Sequence, residues 1–387
     1  MIERRAVLRK CLIAGGIVLL AGCKVIPKGP VQQAPPPPST DQPATGLLPS
    51  DTARHRVALL VPLSGANAGV GQAIANATTM ALLDTNAGNL RITSYDTAEG
   101  AGAAASRALA DGNKLVLGPL LGEDVTAAAA IMRPAKVPMI TYSNDSRVAA
   151  QNVFLLGQVP SQAVFRLVAF AKSRGLTRYA GLIPSGEYGQ RNSAALLAAS
   201  REIGSTVTAT ESYDRGNTSV TSAARRLKAK GGFDAVLIAD GGRMATQAAP
   251  LLKAPGAASP RLLGSELWSG DSTVLASPAL RGAWFAAVSD NRFRQFASSY
   301  RTRFGAAPHR LATLGYDSVL LTIRIARDWR PGTTFPTDRM FDRIGFLGID
   351  GPFRFARDGV AERAFEVREV GAGAVTVVSP AITKFGE

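Results

Sequence analysis

From Arg56 onward the chain alternates short β-rich apolar runs with alanine-, leucine- and arginine-rich stretches of helical character. The predicted strands are RVALLVP (56–62), LRITSYD (90–96), KLVLG (114–118), VPMIT (137–141), TRYAGLIP (177–184), STVTATESY (205–213), FDAVLIAD (233–240), PRLLGS (260–265) and AWFAAV (283–288). This βαβ rhythm predicts an α/β protein with parallel sheets and helices on both faces. Roughly 330 residues are too many for one such sheet, so two lobes with a hinged cleft between them are expected. The stretch 143–158 reads as the connection where the chain crosses over. Two helical segments follow, 291–306 and 309–330, and then short β-like runs (PFRF, AFEVREV, AVTVV) that finish the lobes. Phe296, Tyr300 and Phe304 recur at i, i+4, i+8, which puts one aromatic stripe on a helix face as core. The expected division is a first lobe of about 55–145 plus 290–330 and a second of about 146–289 plus 331–387. In open α/β sheets ligands bind at the carboxyl ends of the strands, so the cleft is the expected site.

The region before Arg56 follows a different pattern. Four basic residues in the first ten precede an apolar run from Leu12 to Ala21. That run is too short to span a bilayer, which takes about 20 residues, and it reads as the core of a signal peptide covering residues 1–22. Leu20-Ala21-Gly22-Cys23 resembles the lipobox of bacterial lipoproteins, which implies that Cys23 becomes a lipid-carrying N-terminus. Residues 23–54 are rich in Pro, Ser, Thr and Gln without apolar periodicity. They predict an extended tether, at about 3.1 Å per residue reaching several tens of ångströms. With Lys24 rather than aspartate after the cysteine, the expected location is the outer membrane, facing the periplasm.

Composition narrows the chemistry. The only cysteines are Cys11, inside the signal peptide, and Cys23, so no disulfide is expected. Two histidines, His55 and His309, stand far apart with no cysteine near them, and neither a metal site nor any other cofactor is expected. The formal charge is +15, of which removal of residues 1–22 takes away three. On an exported protein that charge points away from nucleic acid. It suits anionic lipid, cell-wall polymer, an acidic partner protein, or simply an arginine-rich solvated surface.

The glycines of RVALLVPLSGANAGVGQAIANA (56–77) allow two readings: a cradle for a pyrophosphate at a helix N-terminus, or the floor of a cleft. Gly69-Val70-Gly71 opens a helix, and Asp96 closes the next strand where a ribose-binding acid would stand. Against the nucleotide reading, the third glycine position is Ile74, and Pro62 to Ala68 separate the motif from its strand. Enzyme readings are weaker still. No Gly-x-Ser-x-Gly elbow or Walker loop occurs, and the histidines are poorly placed for a triad.

Val61-Pro62-Leu63-Ser64-Gly65, Gly71, Tyr95-Asp96-Thr97, the run 115–145, Gly315-Tyr316-Asp317 and 346–353 (FLGIDGPF) together resemble the type I periplasmic-binding-protein fold, in its leucine/isoleucine/valine-binding branch. The resemblance implies a ligand cleft lined by Ser64, Gly65, Ser143, Asn144, Tyr188 and Glu266. In such a clamp a serine after the third strand and a corner after the fourth hold a carboxylate. Here the serine position falls on Gly122 and the corner on Ser143-Asn144-Asp145, with Asp145 placed to repel an anion. Tyr188 matches an aromatic that covers the ligand, and Glu266 matches the acid that holds the ammonium. The aromatic expected after 233–240 is replaced by Asp240-Gly241-Gly242. Asp96-Thr97, Gly118-Pro119-Leu120, Tyr188-Gly189-x-Arg191 and Leu314-Gly315-Tyr316-Asp317 resemble the penicillin-binding-protein activators. That second resemblance implies a non-enzymatic lipoprotein regulating a peptidoglycan synthase, with a penicillin-binding protein as its partner. The rival expectation is a solute-binding receptor of an ABC transporter for a small amino-acid-like ligand.

Overall fold

The computed structural model describes residues 53–253 and 259–386. Cys23, the signal peptide and the tether up to residue 52 therefore lie outside the described residues.

The first sheet is wholly parallel, in the order β2-β1-β3-β4-β5, from β1 (His55–Val61), β2 (Leu90–Asp96), β3 (Leu115–Leu117), β4 (Met139–Thr141) and β5 (Val153–Leu155). Between these strands run α1 (Ala68–Thr85), α2 (Ala101–Ala110) and α3 (Gly122–Met132). Alternate side chains of β1 feed opposite layers, as a period of two requires. Val57, Leu59 and Val61 enter one core, which includes Ile74 and Ala81 of α1. Ala58 and Leu60 enter the other, with Ala104, Ala105 and Ala108 of α2 and Val125 and Ala128 of α3.

The second sheet is built the same way from α4 (Pro160–Ser173), β6 (Arg178–Pro184), α5 (Glu187–Glu202), β7 (Thr206–Tyr213), α6 (Ser219–Lys230), β8 (Ala235–Ile238), α7 (Gly242–Leu252), β9 (Arg261–Gly264), α8 (Ser272–Ala276) and β10 (Trp284–Ala287). Ala180 and Leu182 of β6 face α6 and α7, while Tyr179 and Ile183 face α4 and α5. After α9 (Asn291–Phe304) and α10 (Ala312–Ala326) come a small antiparallel sheet, β11 (Phe346–Gly348), β12 (Gly351–Phe355) and β13 (Ala361–Arg363), and then β14 (Glu366–Val370) and β15 (Val375–Ser379). The last two strands add antiparallel to β10, giving the order β15-β14-β10-β9-β8-β6-β7. The fold class is the expected one, two α/β lobes with parallel sheets.

Two boundaries differ from the sequence reading. The connection 143–158 is not simply a crossover. It contains β5, which pairs with β4 and completes the first sheet, so the chain leaves that lobe only after Leu155. A three-residue strand carries too little periodicity to be told from a loop. Nor does 331–387 belong wholly to the second lobe. Phe335, Met340, Phe346, Phe353, Phe355 and Ala361 join the core of the first, with Phe154 and Leu156, and only β14 and β15 join the second sheet. α10 also lies in the first core, through Leu314, Val319, Leu321 and Ile325, and the Phe296–Tyr300 stripe of α9 packs on α1.

The chain thus passes between lobes three times, near 156–159, 288–291 and 363–366, and buried charge ties these passages together. Arg363 donates to the Leu156 carbonyl, and Gln158 donates to Asp350, which also accepts from Arg310 at 2.6 Å. Arg368 donates to the Val288 carbonyl, to Asp290 and to Glu366.

Candidate functional site

The residues singled out from the sequence all follow the ends of parallel strands, in loops or in the first turn of the next helix, and they fall into three groups. Ser64 and Gly65 follow β1 and are exposed. The Ser64 hydroxyl donates to Asp96 Oδ2 at 2.7 Å, and Leu63 N and Ala98 N donate to Asp96 Oδ1 at 2.7 and 2.9 Å. These donors hold the Asp96 carboxyl down at about 2, with the Ser64 bond foremost. Both oxygens of the acid that could have met a ribose are therefore engaged inside the protein. Gly65 has φ +71°, a turn conformation that favours glycine. Gly71 is explained by packing. A Cβ there would stand 1.8 Å from the Pro62 carbonyl oxygen, so its lack of a side chain lets α1 approach the end of β1. Gly189 does the same in the other lobe, 1.7 Å from the Pro184 oxygen.

The second group follows β4. Ser143 is buried; its backbone N donates to Thr141 Oγ1, and its hydroxyl accepts from Asp145 N at 3.1 Å. A side chain at Gly122 would lie 3.6 Å from Ser143 Oγ and from Asp145 Oδ2, so the missing hydroxyl is missing from this corner. Asp145 does not stand as a bare repelling charge. Arg147 pairs with it at 2.7 Å and, with the Arg147 amide, holds its pKa below the usual carboxylate value. Arg147 then reaches the second lobe, bonding Glu187 of α5 at 2.9 Å. Arg191, one turn along α5, returns to the first lobe and donates to Asn144 O and Oδ1 at 3.2 and 3.3 Å. Asp145, Arg147, Glu187, Arg191 and Asn144 form a polar strap between lobes.

The third group is brought together most tightly. The Tyr188 hydroxyl, on the first turn of α5, donates to Glu266 Oε1, after β9, at 2.9 Å. The other carboxylate oxygen, Glu266 Oε2, is buried and has no partner. Burial raises the Glu266 pKa, and burial together with the carboxylate raises that of Tyr188. Beside them Asp240 accepts from Tyr213 at 2.7 Å and from Arg215 at 2.8 Å, while the Arg215 guanidinium lies 5.3 Å from the centre of the Tyr188 ring. The Asp240 carbonyl also receives Trp268 Nε1 and Ser265 Oγ. The acid that replaces the expected aromatic is thus a neutralised, structural one.

Tyr188 and Glu266 are hydrogen-bonded to each other, and Asn144 is linked to their wall through Arg191. No hydrogen bond joins Ser64, Gly65 or Ser143 to that wall among the described residues. Sequence reasoning did not assign Arg147, Arg191, Tyr213 and Arg215 to the site. All four stand at or within a few residues of a strand end or cleft residue, which is the one signal the sequence held. Among the described residues no group of three or more His, Cys, Asp or Glu could hold a metal, and no helix is long and apolar enough to cross a membrane. His55 is packed against Trp329, ring centres 4.1 Å apart.

Two α/β lobes joined by three passages, with polar side chains from strand-end loops facing across the junction, define a two-lobed binding protein. Residues 55–374 match the family described as periplasmic binding protein, and the chain belongs to that family. Its members are binding proteins, not enzymes. Among solved structures, a Rhodospirillum rubrum protein assigned to branched-chain amino acid ABC transport superposes with a TM-score of 0.73 at 22% identity, covering 84% of this chain and 100% of that one. The branched-chain amino acid transporter substrate-binding protein LivJ of Streptococcus pneumoniae, in complex with isoleucine, gives 0.62 at 18% identity, covering 84% and 100%. These likenesses establish the type I fold. An uncharacterized protein of Rickettsia prowazekii, RP748, is 25% identical over 173 residues, 44% of this chain and 46% of that protein.

Proposed function

We propose that this chain is an extracytoplasmic solute-binding receptor of an ABC transporter, and that its cleft closes on a small amino-acid-like ligand. The observation that carries the reading is the Tyr188–Glu266 pair, in which a buried carboxylate oxygen is left without a partner. An unpartnered buried carboxylate oxygen is costly, and a ligand ammonium is the group that would relieve it. Family membership supports the same reading, as does the complex of LivJ with isoleucine. Cys23 would anchor the receptor to a membrane through lipid, with residues 23–54 as its tether. Cys23→Ser should then release the protein from membranes.

Calorimetry with the proteinogenic L-amino acids on natively purified protein tests the receptor reading. A ligand whose binding is lost in Glu266→Ala supports it, and a wild type that binds none refutes it.

One observation favours the second reading, a lipoprotein regulator of a penicillin-binding protein. The Arg147–Glu187 and Arg191–Asn144 bonds strap the lobes together, and a hydroxyl is missing at Gly122. Such a domain would work through its outer face. Stimulation of a purified peptidoglycan synthase, together with no amino-acid binding, would favour the regulator.

A further inference from the structure

The strap and the Tyr188 wall share the first turns of α5, and their charges are unequally satisfied. Arg147 makes bonds of 2.7 to 2.9 Å to two carboxylates, the range of charge-assisted pairs. Arg215 is matched by Asp240 at 2.8 Å. Arg191 differs from both. Its contacts are an amide carbonyl and a side-chain amide at 3.2 and 3.3 Å and Glu187 at 3.4 Å, an acid already bonded to Arg147 at 2.9 Å. Its Nε is buried and has no acceptor, although the side chain is only 26% exposed. Three residues earlier on the same helix, so on the same face, Tyr188 holds Glu266, whose Oε2 is likewise buried and unpartnered. The first turns of α5 therefore carry an under-satisfied cation, Arg191, and through Tyr188 hold an under-satisfied acid, Glu266. On the opposing lobe the corner that faces Arg191 is Ser143-Asn144, where Gly122 supplies no hydroxyl.

We propose that Arg191 is the carboxylate-binding residue of this cleft, so that its ligand is a zwitterion whose carboxylate meets Arg191 and whose ammonium meets Glu266. This rests on the receptor reading above and adds to it the residue that recognises the anion. A guanidinium offers a planar fork, so Nε and one Nη can take both carboxylate oxygens at once. The long Asn144 bonds are the ones a ligand would displace, while Arg147 keeps the lobes paired. A dipolar ligand suits the site because it neutralises both groups together. An amine would leave Arg191 unmet, and a simple carboxylate would leave Glu266 unmet.

The test compares each L-amino acid that binds wild type with its decarboxylated amine and its deaminated keto acid, by calorimetry, in wild type, Arg191→Gln, Arg191→Lys and Glu266→Gln. Removing one partner of a desolvated charge pair should weaken amino-acid binding about 30-fold or more in Arg191→Gln. Affinity for the amine, which has no carboxylate, should stay within about threefold, a selectivity change that a merely structural role would not produce. Glu266→Gln should show the reverse pattern, losing amino acid but not keto acid. The amino-acid-to-amine affinity ratio should thus fall in Arg191→Gln. If Arg191→Gln fails to fold, Arg191→Lys decides, because loss of the planar fork should still cut that ratio. An unchanged ratio in both Arg191 variants overturns the assignment and leaves the receptor reading standing. A wild type that binds no amino acid overturns both.

Discussion

Replacing Asp317 by asparagine should flatten part of the protein's pH dependence of stability. Asp317 lies on α10, fully buried, near Asp350 and Arg363. Its Oδ1 accepts from Ile349 N at 2.6 Å and its Oδ2 has no partner. Gly348 closes that side, since a Cβ there would lie 2.3 Å from Oδ2. Burial, and then the charge of Asp350, push the Asp317 carboxyl up to about 7, with Arg363 and the Ile349 and Asp350 amides opposing. Asp350 goes the other way because Arg310 and Arg363 hold it ionised, so of the two acids Asp317 keeps the proton. A folded-state pKa above the unfolded value of 3.8 means the folded protein holds this proton more tightly. The contribution is full below the unfolded value and is lost as pH rises to about 7. At about 1.4 kcal/mol per unit, the slope sums to about 4 kcal/mol. Asparagine copies the protonated acid in shape and keeps the acceptor for Ile349, so Asp317→Asn should lack that slope. Its stability relative to wild type should climb by a few kcal/mol between pH 4 and 7.5 and then level. Urea unfolding followed by circular dichroism at several pH values measures the gap. Titrating groups that do not interact with Asp317 cancel in the difference, and a gap constant across the range would refute the reasoning.

Gly71→Ala and Gly189→Ala should each destabilise by about 2 kcal/mol or more, because helix and strand must separate to admit a methyl group. Gly69→Ala, where a Cβ meets nothing within 4 Å, should be neutral or slightly stabilising. Thermal melts of the three variants check the contrast. Arg147→Ala should lower the melting temperature modestly, since its bond to Glu187 is exposed on both sides, at 66% and 64%, but its loss also leaves Asp145, 11% exposed, without its partner. It should also enlarge the ligand-free radius of gyration by small-angle scattering if the strap holds the lobes together. Amino-acid binding should weaken as pH falls, because burial raises the Glu266 pKa and the protonated acid no longer attracts an ammonium. A binding constant independent of pH down to 4.5 would exclude Glu266 as the ammonium partner.

The alternation of apolar runs with helical stretches was enough to read two parallel lobes and most of their strands. The central strands are buried on both faces, and their apolar character is local. Tyr188 and Glu266 were reached through the family resemblance, which matches them to positions that follow strand ends. The motif glycines show where local reading stops. Gly69 and Gly71 look alike in sequence, yet only Gly71 touches the Pro62 carbonyl, a contact set by the docking of α1 on β1.

β5 was hidden because three residues hold no period, and 335–361 was misplaced because nothing local marks which core a phenylalanine will enter. Asp145 looked like a charge that would repel a carboxylate until Arg147 was seen beside it, and Asp240 looked like a lost aromatic until Tyr213 and Arg215 were seen bonded to it. The sequence by itself determined the period and order of the elements, and through them the layers and the edge where a site can form. Only the tertiary structure decided which charges are neutralised and which are left waiting, because a carboxylate's state depends on partners in contact with it that lie up to dozens of residues away in the chain.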